Sequence, residues 1–96
     1  MATFITLVNF TDQGIRNIKE SPDRFEAFKV AAERLGVMVK TAFYTVGQHD
    51  MVLIVEGEEA AATAVLLKVG SLGNVRTQTL WAFSVDAMRN IIGQMP

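Results

Sequence analysis

The chain has no cysteine, and only one histidine, one tryptophan, one tyrosine and two prolines in its 96 residues. Without cysteine, neither a disulfide nor a thiolate metal site can reinforce a small core. A single histidine leaves only carboxylate-rich ways to hold a metal. No group of Asp and Glu has ligand spacing, so no metal site is expected. Nine basic residues stand against ten acidic ones, a formal net charge of −1. The basic footprint that non-specific nucleic-acid binding needs is missing. No apolar run reaches the roughly 18 residues of a membrane-spanning helix. The apolar stretch near the N-terminus has no basic start and is soon ended by Asn9 and Asp12, unlike a secretory signal. The cytoplasm is therefore the expected location. Gly70 and Gly73 precede a strand pattern, whereas a phosphate-binding fingerprint opens a helix. No serine has a histidine-linked nucleophile context. No cofactor is implied.

Half the residues are hydrophobic. A chain of this length is one domain, and it buries only about 60–70% of its unfolded surface. A monomer this small rarely hides so much apolar surface, so a homodimer or higher homo-oligomer is expected.

The chain is organised around Val46-Gly47-Gln48-His49-Asp50, which separates two apolar runs, residues 37–46 and 51–55, the second extending to Glu56 as a strand. They read as neighbouring strands, and Gly47 allows the positive φ of a tight connection. Residues 3–10, rich in β-branched and aromatic side chains, predict a strand with apolar residues on both faces. Thr11 can cap a short helix over residues 12–18, weakened by Gly14. Ser21-Pro22-Asp23 is a stronger start signal, with Ser21 as cap and Pro22 at the first helical position. Phe25, Phe28, Ala32 and Leu35 then recur at helical spacing as one buried stripe, and Gly36 ends the helix. Residues 60–69 are apolar almost all round, which predicts a helix buried on more than one side, with Gly70 and Gly73 as its terminators. Residues 75–83 are a fourth strand. Ser84 caps a last helix whose apolar stripe is Met88, Ile91, Ile92 and Met95.

The order β-α-β-β-α-β-α predicts an α+β fold. It is the ferredoxin-like βαββαβ sandwich: a four-stranded antiparallel sheet in spatial order 4-1-3-2, both main helices on one face, plus a C-terminal helix. The second sheet face needs a cover, which a second chain would supply.

Taken together, Phe4-Ile5-Thr6-Leu7-Val8-Asn9-Phe10-Thr11 with Gln13-Gly14-Ile15-Arg16, the Ser21-Pro22 helix start, Gly47-Gln48-His49-Asp50 and Gly70-Ser71-Leu72-Gly73-Asn74-Val75-Arg76-Thr77 form a specific pattern. Over most of its length the chain resembles the GYD domain family of small bacterial and archaeal proteins. The resemblance implies a ferredoxin-like fold of the dimeric α/β-barrel type and says little about activity. The eponymous motif has Gly followed by Tyr-Asp. Here Gly47 and Asp50 match a pattern spaced by one residue, and His49 stands where the tyrosine is expected.

His49 with Asp50 reads either as an acid/base or ligand-orienting pair, or as a turn in which Asp50 bonds backbone amides and His49 is partly exposed. Arg76 suits a carboxylate or phosphate, or a surface ion pair. Asn9 suits a pocket wall, or the capping of loose backbone groups. Tyr44 and Trp81 suit an oligomer interface or a ligand wall. Met38, Met51, Met88 and Met95 read as gap fillers. The residue types fit a non-catalytic binding module for a small molecule or a protein, with His49, Asn9, Tyr44 and Arg76 as candidate ligand-binding residues and Gly47 and Asp50 as the structural turn. The alternative is a small cofactor-independent enzyme, an oxygenase or isomerase, which needs a pocket between sheet and helices on which those four residues converge.

Overall fold

A computed structural model describes residues 2–96. In chain order it contains β1 (Ala2–Phe10), α1 (Asp12–Arg16), a 3-10 turn (Ile18–Glu20), α2 (Ser21–Arg34), β2 (Met38–Tyr44), β3 (Met51–Gly57), α3 (Glu59–Ser71), β4 (Val75–Ala82) and α4 (Val85–Gly93). The strands form one sheet in the order β2-β3-β1-β4, with every neighbouring pair antiparallel. This α+β arrangement is consistent with the ferredoxin-like sandwich.

Strand alternation assigns the two sheet faces. Phe4, Thr6 and Val8 of β1 and Met51, Leu53 and Val55 of β3 are buried, and they share one core cluster with Ala32 of α2 and Ala62 and Val65 of α3, Thr6 excepted as polar. Both long helices therefore cover the same face. Thr6 is fully buried there, and its hydroxyl meets that of Thr79 on β4 at 3.1 Å. The opposite parity, Ile5 and Leu7 of β1 with Val52 and Ile54 of β3, is only half-buried.

Local chemistry explains most element ends. Thr11 caps α1 by accepting the Gly14 N–H, and Ser84 caps α4 by accepting the Ala87 N–H. Gly14 proves to be a close-packing position: it is buried, and a Cβ there would run into the Asn74 carbonyl. Ser21 is not a cap. The 3-10 turn leads straight into α2, so Ser21 already has helical backbone (φ −57°, ψ −45°). It is buried, and its hydroxyl lies 2.8 Å from that of Tyr44. The stripe on α2 is also less even than its spacing suggests: Ala32 is fully buried, Phe25 and Phe28 are half-buried, and Leu35 is exposed.

The other differences concern the ends of β2, α3 and α4. β2 stops at Tyr44, because the chain turns at Thr45 and leaves Val46 in solvent. A bulge between Val39 and Thr41 interrupts its register with β3. α3 runs through Gly70 to Ser71, and its buried residues are Ala62 and Val65 on one side, while Leu67 is exposed. No residue of α4 is buried, and it makes no more than marginal contact with any other element. A compact chain of this length has a radius of gyration of about 12.5 Å; here it is 14.6 Å, as a helix standing off the body requires. No helix among the described residues is long and apolar enough to cross a membrane.

Candidate functional site

The β2–β3 connection is built from side-chain bonds to backbone. The Thr45 amide donates to the Asp50 carbonyl (2.8 Å), and the Thr45 hydroxyl donates to the His49 carbonyl (2.6 Å). Between them Gly47 takes φ 152°, a conformation that side-chain-bearing residues rarely adopt. Asp50 then ties the loop to β1. Its amide donates to the Val8 carbonyl and its carboxylate accepts the Phe10 amide, each at 2.8 Å.

His49 is held by Asn9. The Asn9 side-chain amide donates to the Gln48 carbonyl at 2.8 Å, which turns its oxygen toward the imidazole, 2.9 Å from Nδ1. In this network Nδ1 carries a proton, and in the neutral ring Nε2 is left as the acceptor. Arg76 lies opposite Asn9 in the β1–β4 register. His49, Asn9 and Arg76 thus belong to one end of the sheet. Tyr44 does not join them: it pairs in register with Met51 on the helix side and meets Ser21 of α2. The row offers an imidazole acceptor and a guanidinium to a polar partner. It is not a carboxylate–histidine pair, because Nδ1 donates to the Asn9 amide oxygen and the Asp50 carboxylate accepts from Phe10. No group of three metal-ligating side chains occurs among the described residues.

Two apolar features lie on the two sides of the sheet. The first is the sheet face away from α2 and α3, where Ile5, Leu7, Val52 and Ile54 are flanked by exposed Phe43 and Leu80. Exposed apolar patches of this kind are common at interaction surfaces. Trp81 and Phe83, stacked at 5.8 Å, and the unpacked stripe of α4 extend the apolar surface beyond the sheet. The second feature is a cavity of about 390 Å³ between the helix-side sheet face and α2 and α3. Val8, Met51 and Leu53 form its floor, and Phe28 and Val65 are among its walls. Ser21 and Arg24 line it too, whereas His49, Asn9, Tyr44 and Arg76 do not. Arg76 lies instead on a more open cleft beside α3 and β4. Arg24 was hidden from pattern reading because it falls just ahead of the aromatic stripe. The one available signal was its spacing, four residues before Phe28 and so on the same flank of the helix.

The family model described as the GYD domain matches residues 4–92. The chain belongs to the GYD domain family. A curated relative from Thermus thermophilus, the glutamine synthetase and cystathionine beta-lyase binding protein, is 38% identical over 87 residues, which cover 88% of this chain and 92% of the relative. The crystal structure of TTHA0845, also from Thermus thermophilus, is similar, with a TM-score of 0.55 at 25% identity over 88% of this chain and 96% of that one. Family membership agrees with the Gly47-to-Asp50 hairpin, in which this GYD domain chain carries histidine before the aspartate.

Proposed function

We propose that this GYD domain chain is a non-catalytic, homodimeric protein-binding module of the cytoplasm. Two copies oppose their open sheet faces in a dimeric α/β barrel, and α4 of each reaches the other copy. The observation that carries the reading is the uncovered apolar face of Ile5, Leu7, Val52 and Ile54 with Phe43 and Leu80 at its margin. An interface of this obligate kind buries roughly 2,000 Å² or more in total. His49, Asn9 and Arg76 stand at the end of that face and supply polar selectivity toward a partner. The name of the Thermus relative supports a protein partner, and glutamine synthetase and cystathionine beta-lyase are the first to try.

The cavity is the observation in favour of a cofactor-independent enzyme. Its lining, among the described residues, includes no histidine and no carboxylate to act as base, so binding is the better reading. The test is sedimentation at micromolar concentration, followed by titration of the two purified enzymes from the same source organism. A dimer mass and saturable binding to at least one enzyme are expected. A monomer that binds neither enzyme would overturn the proposal.

A further inference from the structure

The cavity between the sheet and α2 and α3 has a chemistry of its own, independent of how the open sheet face is used. Its volume, about 390 Å³, falls in the range of roughly 300–1,000 Å³ typical of small-molecule sites. Its surface is apolar apart from a few groups. The only charged side chains among its described lining residues are two cations, Arg24 and Lys68.

Arg24 is incompletely satisfied. One guanidinium nitrogen, Nη1, donates to the Asn17 carbonyl at 2.8 Å and lies 3.8 Å from the Glu20 carboxylate. That carboxylate is two-thirds exposed and at the outer limit of an ion pair. The other nitrogen, Nη2, is buried and has no hydrogen-bond partner among the described residues. A guanidinium keeps its charge, and a buried N–H group without an acceptor is costly. An acceptor with negative charge would satisfy it, and the rest of the cavity would bury hydrocarbon.

We propose that this cavity is a binding site for an apolar monocarboxylic acid, with the hydrocarbon against Val8, Leu53, Phe28 and Val65 and the carboxylate on the Arg24 guanidinium, whose Nη2 has no accessible surface in the empty cavity and turns toward the acid as it binds. Ser21, already joined to Tyr44, borders the same cavity and can supply a further hydroxyl. A neutral alcohol of equal length fills the same space and leaves the guanidinium unmatched. A cationic amphiphile meets like charge.

The experiment is calorimetric titration of the whole chain with decanoate, decan-1-ol and decyltrimethylammonium, on wild type, Arg24→Gln and Ala64→Phe. The last variant adds bulk at an exposed cavity-lining position of α3. Decanoate should bind wild type at one saturable site, about tenfold or more tighter than the alcohol, the difference a charge-assisted hydrogen bond makes. Arg24→Gln should lose that acid-over-alcohol preference, and Ala64→Phe should weaken acid and alcohol together. Circular dichroism establishes that each variant is folded, and the acid–alcohol comparison on wild type stands even if a variant is not. Absence of saturable decanoate binding, or equal binding of acid and alcohol by wild type, would overturn the proposal.

Discussion

The Asp50 carboxylate accepts the Phe10 amide at 2.8 Å, joining residues 40 apart in sequence. A side chain here takes the place of a backbone carbonyl where the β1–β3 ladder ends. Asp50→Ala leaves that amide without its partner and should cost about 1–2 kcal/mol. Asp50→Asn keeps an acceptor and should recover part of it. His49→Ala loses one half-buried bond to Asn9 and should cost less, at most about 1 kcal/mol. His49→Tyr, which introduces the residue expected from the family motif, should keep the fold. Urea denaturation of the four variants measures all of this. A larger loss for His49→Ala than for Asp50→Ala would reverse the roles given to the two residues.

Two helical glycines should respond in opposite directions. At Gly14 an added Cβ meets the Asn74 carbonyl, so Gly14→Ala should destabilise by about 1–3 kcal/mol as α1 is pushed from the start of β4. At Gly70, inside α3, an added Cβ has nothing within 4 Å. Gly70→Ala should stabilise by roughly 0.5–1 kcal/mol through helix propensity. Thermal melting distinguishes the two signs.

Thr6 and Thr79 should behave as a coupled pair. Thr79→Val leaves the buried Thr6 hydroxyl without the partner it has at 3.1 Å, costing on the order of 1 kcal/mol. The double change Thr6→Val with Thr79→Val removes both polar groups and should be closer to wild type than the sum of the single changes. A double-mutant cycle showing simple additivity would mean that the two hydroxyls do not depend on each other.

Phe43 tests the proposed dimer separately from the fold. It is 64% exposed, on the open sheet face. Phe43→Glu should therefore change the stability of the isolated chain by no more than about 0.5 kcal/mol. It should, however, halve the sedimenting mass. An unchanged mass would count against the proposed dimer through this face.

The strand order was legible because each strand is a short β-branched run bounded by turn residues, and because one crossover, one hairpin and a second crossover leave few arrangements. The caps at Thr11 and Ser84 were legible for a similar reason: each acts within three residues of itself. Ser21 carries the same local signal as Thr11 but has a different role. Its hydroxyl finds Tyr44, 23 residues away, and the 3-10 turn before it has already begun the helical path. Val46 continues an apolar pattern into a loop, because pattern alone does not show where Thr45 starts bonding across the hairpin. In the candidate site, Gly47 and Asp50 could be placed from turn chemistry. The bond between Asn9 and His49 could not, since it depends on β1–β3 register. Nor could the unsatisfied nitrogen of Arg24, since a missing partner is a property of the packed molecule.

The detachment of α4 also bears on its persistence. A helix of nine residues is shorter than the roughly 12–15 that hold together unaided in water. Its hydrogen bonds should therefore last only while something outside this chain covers Met88, Ile91 and Ile92. On dilution, amide protons of residues 85–93 should exchange with solvent deuterium at close to the rate of an unstructured peptide, while those of β1 and β3 remain protected. At high concentration the same amides should slow. The tail of the chain would then report, residue by residue, how crowded its surroundings are.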